Sequence, residues 1–140
     1  DPTAKMSKSS PAGCVFLLDP PKRIEKKIKS AVTDSEADVR FDPADKPGVS
    51  NLLTILATFT GRNVAEVVAE FEGRMYGDLK KETAAAVVAF AEPFQARVAA
   101  LMDDPAELDR IMAAGAGRAR EVASQTLADV YDSLGLVAAR

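Results

Sequence analysis

The sequence predicts an all-α fold, an irregular helical bundle preceded by a mobile loop. After residue 20, apolar side chains recur at steps of three and four residues over most of the chain, which is typical of helices with one buried face. No strong alternation of apolar and polar residues and no internal repeat appears in that part. The length of 140 residues, 47% of them apolar, is enough for one domain with a hydrophobic core.

The composition excludes several classes of function. The chain has no histidine, which excludes histidine-based acid–base catalysis and histidine metal sites, and we expect no metal site. Cys14 is the single cysteine, so an internal disulfide is excluded and a reducing compartment is favoured. The polar start lacks the apolar segment of a secretory signal, and no stretch approaches the roughly 18 consecutive apolar residues of a membrane helix. These features predict a cytoplasmic protein with no membrane partner.

The first third of the chain predicts one helix between two loops. Residues up to Asp19 indicate a loop with one short apolar run, Cys14–Leu18, which is either a strand or a buried connector. Proline at 20 and 21 favours a helix start, and the apolar stripe that follows predicts a helix over about 21–32. Turn-forming residues without a helical period then predict a long ordered loop over 33–48.

Three helical segments are predicted between residues 50 and 102. Ser50 is placed to cap a helix that ends at Gly61, and Asn63 forms a capping box with the glutamate three residues later, which starts a helix over 64–72. Asp78 opens a long alanine-rich segment that extends to about residue 102. Pro93 lies inside it and predicts a kink or break near residues 89–92.

The last helix has the clearest start and end signals. Asp104 is followed by Pro105 and, two residues later, by a glutamate, and Gly135 supplies the stop. One face has the periodicity of a helix packed in a bundle. That face consists of Leu108, Met112, Gly115, Ala119, Val122, Thr126, Val130 and Leu134.

The candidate functional site is the run Lys5-Met6-Ser7-Lys8-Ser9. Two flexible ammonium groups, with serine hydroxyls and accessible backbone amides between them, suit a polyphosphate. Residues 1–30 carry a net charge of +4 and the remainder −7, which allows a local anion site at the front of the chain. The basic cluster over Lys22–Lys29 is interpreted as a solvated charged face.

The order of these residues is more specific than their composition. The stretch KMSKS is identical to the second signature motif of class I aminoacyl-tRNA synthetases. Together with IEKKIKSAVTDSE, KPGVSNLL, YGDLKK and ELDRIMAAGAGRAREVAS, it resembles the C-terminal portion of bacterial tryptophanyl-tRNA synthetases over essentially the entire chain.

The resemblance implies roles for individual residues. Lys5 and Lys8 would be catalytic, stabilising the β- and γ-phosphates of ATP while tryptophan is adenylated. Ser7 and Ser9 would bind phosphate or hold the shape of the loop, and Met6 would pack the loop against the body. ATP is thus expected as a substrate, with Mg²⁺ in the full-length enzyme and no cofactor bound by side chains of this chain.

The resemblance also implies a domain organisation. Residues 1–19 would be the KMSKS loop and a connector from a Rossmann-like catalytic domain, and residues 20–140 the α-helical domain that contacts the anticodon region of tRNA(Trp). That catalytic domain is absent from this sequence, so we expect the chain alone to be inactive. The full-length enzyme is expected to be a homodimer, and apolar surface around residues 15–18 is expected to be exposed.

Other interpretations remain open. The chain could be a helical nucleic-acid or protein interaction module with no catalytic role; a general nucleic-acid binder is disfavoured by the acidic remainder of the chain. Arg62, Arg74 and Lys80 are candidates for tRNA contact, although exposed basic residues are more often simply solvated. The run Thr33–Glu36 is interpreted as local capping and turn hydrogen bonds rather than substrate contact.

Overall fold

Five α-helices follow a short 3-10 turn, Pro11–Gly13, in the part of the chain that the structure describes. The structure, a computed structural model, describes residues 11–137. The helices are α1 (Pro21–Lys29), α2 (Pro47–Thr60), α3 (Val64–Glu70), α4 (Tyr76–Met102) and α5 (Pro105–Leu134). No strand occurs between residues 11 and 137, so the all-α class is confirmed. Cys14–Leu18 is an irregular connector, and the prediction that it is buried is wrong except for Cys14.

The first two helices differ from their predicted bounds for local reasons. α1 ends at Lys29, three residues early, and the carbonyl of Ala31 accepts a hydrogen bond from Lys80 instead of continuing the helix. α2 begins at Pro47, whose missing N–H costs nothing at the first helical position. Ser50 therefore lies inside α2 and is not its cap; its hydroxyl accepts the backbone N–H of Asp42 at 2.8 Å.

The capping box predicted for α3 is confirmed. The side chain of Asn63 accepts the N–H of Glu66 at 2.8 Å, and the Glu66 carboxylate accepts the N–H of Asn63 at 3.2 Å. α3 ends at Glu70, two residues before the predicted end, and Gly73 follows with a φ of 73° that favours glycine.

α4 starts two residues before Asp78 and continues through Pro93 to Met102, so the predicted break is wrong. Proline removes one backbone hydrogen bond, to the carbonyl four residues earlier, Ala89. Both Ala89 and Pro93 are exposed, so water can hydrate that carbonyl and the helix continues.

The hydrophobic core lies in the first of two units into which the chain divides, Asp1–Ala96 and Arg97–Arg140. Side chains from α1 to α4 meet there, together with Val39 from the long loop. The fully buried members include Ile24, Val49, Leu53, Val67, Phe71 and Leu79. Short, apolar helices α2 and α3 thus supply the centre, and the long loop and α1 pack around them.

The second unit contains α5, whose side chains are all exposed or only partly buried. The cap and stop predicted for it are confirmed, since Asp104 accepts the N–H of Glu107 and Gly135 has a φ of 66°. Within its own unit the apolar face of α5 is exposed, with Met112 at 64% and Val122 at 70%, so its packing in a bundle stays a prediction. The periodicity identified an amphipathic helix but carried no information on what covers it.

α4 is long and apolar enough to cross a membrane by length and composition alone, as is the bent pair α2 and α3. The apolar window of α4 has a mean hydropathy of 1.3. Leu79, Ala84, Val87 and Ala91 of this helix belong to the core, but only 11% of the apolar window is buried, so core packing explains only part of its apolar character. The absence of a membrane partner stays a prediction.

Candidate functional site

The predicted phosphate-binding residues, Lys5 to Ser9, lie outside the described residues. The site is therefore described from the segment that follows them. This segment, Cys14–Asp19, is called the connector below.

The connector presents its apolar side chains outward. Val15, Phe16, Leu17 and Leu18 are 38%, 40%, 50% and 61% exposed, as expected, whereas Cys14 is buried. Hydrophobic burial of these four half-exposed side chains therefore fixes the position of the connector only in part.

Asp19 fixes the connector through polar contacts. Its side chain is 5% exposed and accepts a hydrogen bond from Lys27 Nζ at 2.6 Å and from the backbone N–H of Phe16 at 3.0 Å. Lys27 also donates to the carbonyl of Cys14, so one ammonium group joins both ends of the connector. The hydrogen bond from Lys27 is the main reason that the pKa of Asp19 lies below its ordinary value.

Gln95 of α4 holds the same segment from the other side. Its side-chain amide donates to the carbonyl of Leu17 at 2.8 Å and to the carbonyl of Asp19 at 2.9 Å. Two connector carbonyls are thereby satisfied by a residue more than 70 positions later in the chain. Asp19, Lys27 and Gln95 are called the connector clamp.

A second polar cluster ties the long loop to the start of α4. Lys46, 1% exposed, donates to Asp34 at 3.0 Å, to Glu36 at 2.6 Å and to the hydroxyl of Tyr76 at 2.8 Å. Tyr76 in turn donates to Asp34 at 2.6 Å. The N–H of Glu36 also bonds to Asp34, which is the kind of local turn bond predicted for Thr33–Glu36.

The cluster keeps Lys46 and Asp34 charged. The hydrogen bond from Tyr76, aided by Lys46, lowers the pKa of Asp34 to about 2 despite its burial. Burial opposes the charge on Lys46, but its bonds to Glu36, Tyr76 and Asp34 prevail and raise its pKa. Because the pKa of Asp34 is lower in the folded chain than in the unfolded chain, its ionised carboxylate stabilises the fold at pH values above the usual aspartate pKa. This contribution to the free energy of unfolding is lost as the pH falls towards 2.

The three basic residues predicted as tRNA contacts are used within the domain. Arg62 forms an ion pair with Glu70, and Arg74 forms one with Glu82 at 2.5 Å. Lys80 donates to the carbonyl of Ala31 at 2.8 Å and to the Thr33 hydroxyl at 3.2 Å. The ion pairs of Arg62 and Arg74 lie at the surface, so both arginines can exchange partners. Lys80, by contrast, holds residues 31 and 33 of the chain by its two hydrogen bonds.

The basic face of α1 is differently placed. Lys22 and Lys26 are exposed, four residues apart on one face, and their side chains make no ion pair or hydrogen bond within residues 11–137. Lys29 lies one turn further along and pairs only with the exposed Glu25 at 3.2 Å. The predicted solvated face is thus present for Lys22, Lys26 and Lys29, whose ammonium groups are available to phosphates. The prediction is wrong for Lys27, whose side chain is 13% exposed and ion-paired with Asp19.

Comparisons with known proteins give consistent results. Residues 1–92 match the family model of the tRNA synthetases class I (W and Y). The tryptophan–tRNA ligases of Corynebacterium efficiens and Mycobacterium leprae are 52% and 53% identical over the whole chain. The chain spans only 41% of each of those relatives.

A solved structure extends the likeness to the fold. The crystal structure of tryptophanyl-tRNA synthetase from Mycoplasma pneumoniae superimposes with a TM-score of 0.87 at 34% identity. It covers 98% of this chain and is itself covered over 42% of its length. The irregular helical architecture described above is therefore also present in an experimental structure.

Proposed function

Because this chain belongs to the class I tRNA synthetases of the tryptophan and tyrosine family, we propose that it is the C-terminal part of a tryptophan–tRNA ligase. The observation that carries the proposal is the identity of about half of all positions, over the whole chain, with curated tryptophan–tRNA ligases. The longer protein would activate tryptophan with ATP and transfer it to tRNA(Trp), acting as a cytoplasmic homodimer.

Within that protein, Lys5 and Lys8 would bind the β- and γ-phosphates of ATP, which arrives with Mg²⁺. Their charges would match the negative charge that builds up as pyrophosphate leaves, and electrostatic help of this kind is often the largest catalytic contribution. Ser7 and Ser9 would add hydrogen bonds, and Met6 would seat the loop. The helical part would contact the anticodon region of the tRNA.

The catalytic role of the motif is tested in the full-length protein by the double change Lys5→Ala and Lys8→Ala. We expect tryptophan-dependent pyrophosphate exchange to fall by a factor of about 100 or more, the size of effect seen when a preorganised charge-stabilising group is removed. Binding of tRNA(Trp) should change less than twofold.

Lys81→Ala serves as the control, because Lys81 is an exposed lysine of α4. Unchanged exchange in the double variant would contradict the proposal and favour an interaction module with no catalytic role. Exchange activity in the isolated 140-residue chain would contradict the prediction that it is inactive alone.

The tRNA role is tested on the basic face of α1. Lys22→Glu combined with Lys26→Glu is expected to weaken tRNA(Trp) binding about tenfold, and to reduce the slope of log affinity against log salt by about 1 for each lost phosphate contact. Arg118→Glu with Arg120→Glu makes the same charge change on exposed positions of α5 and should have a smaller effect. If both pairs of changes weakened tRNA(Trp) binding equally, the affinity would depend on the net charge of the chain and not on the basic face of α1, which would contradict the proposal.

A further inference from the structure

We propose that the connector clamp, formed by Asp19, Lys27 and Gln95, positions the phosphate-binding lysines of the motif for the ATP reaction. The inference rests on the proposed function and assigns a task to three side chains outside the motif. None of the three is proposed to touch ATP; they act by holding the backbone to which the motif is joined.

The first step in the argument is that the clamp is polar and acts on the backbone. The four apolar connector side chains are 38% to 61% exposed and Cys14 is buried, so packing holds the segment only in part. Its backbone is also held by hydrogen bonds from Lys27 to the Cys14 carbonyl and from Gln95 to the carbonyls of Leu17 and Asp19. Asp19 keeps the Lys27 ammonium between the two ends of the segment at 2.6 Å.

The second step concerns reach along the chain. Ser9, the last motif residue, precedes Cys14 by five residues, and five residues span at most about 18 Å. Cys14 is buried and its carbonyl accepts the Lys27 ammonium, so a fixed point lies seven residues nearer to the motif than the start of α1 at Pro21. By holding the connector on both sides, the clamp defines the point from which the chain leads back to the motif.

Confinement of this kind affects the reaction more than it affects stability. Ordering a catalytic group before the transition state lowers the entropic part of the barrier, and a displacement of about 1 Å can cost a factor of 100 in rate. Loosening the clamp should therefore lower kcat/KM for ATP, because the two lysines are proposed to bind its phosphates. The affinity for tryptophan should not change.

The clearest variant is Gln95→Ala in the full-length enzyme, because Gln95 is a partly exposed side chain at which truncation leaves the core intact. We expect kcat/KM for ATP in pyrophosphate exchange to fall about tenfold, KM for tryptophan to stay within twofold, and the melting temperature to shift by less than about 2 °C. Glu92→Ala, an exposed position one turn earlier on α4, is the matched control and should behave as wild type.

A second measurement separates positioning from a general structural role. In a Lys8→Ala background, Gln95→Ala should lower the rate less than twofold further, because the group being positioned is already gone. Asp19→Asn, which keeps the shape of the side chain, should repeat both results. Wild-type kcat/KM for ATP in Gln95→Ala, or a full tenfold loss on top of Lys8→Ala, would overturn the inference. An inactive wild-type enzyme would instead contradict the proposed function.

Discussion

Replacing Lys46 with methionine is expected to lower the free energy of unfolding of the chain by about 3 kcal/mol. The side chain is 1% exposed and binds Asp34, Glu36 and the Tyr76 hydroxyl. Removing the ammonium leaves the Asp34 carboxylate without its cation, and one oxygen of that carboxylate is already buried without a partner within the described residues. The measurement is urea unfolding followed by circular dichroism at 222 nm.

Lys26→Met is the control, because this lysine is exposed on α1, and we expect a change below about 0.5 kcal/mol. The double change Lys46→Met with Asp34→Asn should recover part of the loss, since it no longer strands a charge. A loss below about 1 kcal/mol in Lys46→Met would show that water readily hydrates the cluster and that its bonds add little.

Gly48→Ala is expected to be the other strongly destabilising change, by about 3 kcal/mol. A Cβ atom at this position would lie 2.1 Å from the backbone carbonyl oxygen of Val32, far inside van der Waals contact. Because the obstacle is backbone and not a flexible side-chain end, the loop or the first turn of α2 must move. Thermal and urea unfolding of the chain measure the effect.

Gly77→Ala is a closely matched control. Gly77 is the second residue of α4, as Gly48 is the second residue of α2, and a Cβ atom there has no neighbour within 4 Å. With no clash, alanine should be neutral or stabilise by up to about 1 kcal/mol through its higher helix propensity. Similar losses at both positions would mean that helix-start geometry, and not the approach of Val32, determines the effect.

The sequence predicted those parts of the fold that depend on neighbouring residues. The Asn63 capping box, the Asp104 cap and the stops at Gly61 and Gly135 all depend on residues within one turn of each other, and all are present. Ser50 was misplaced as a cap because its hydroxyl serves the loop residue Asp42, a contact that no local pattern contains.

Contacts that link distant residues could not be predicted. Lys46 and Tyr76 are 30 positions apart, and Gln95 reaches carbonyls more than 75 positions earlier. Nothing in a helical period or a turn motif specifies such partners. The family resemblance was confirmed, whereas the roles of the KMSKS residues, which lie outside the described part of the chain, stay predictions.

The exposure of α5 has a consequence for how the chain unfolds. Its backbone hydrogen bonds are supported by helix propensity and by its caps, since none of its side chains is buried. The amides of α2, by contrast, surround fully buried leucines such as Leu53 and open only with the core. Amide hydrogen exchange should therefore be governed by local helix–coil fraying along α5 and by global unfolding in α2, so the two helices do not form one cooperative unit.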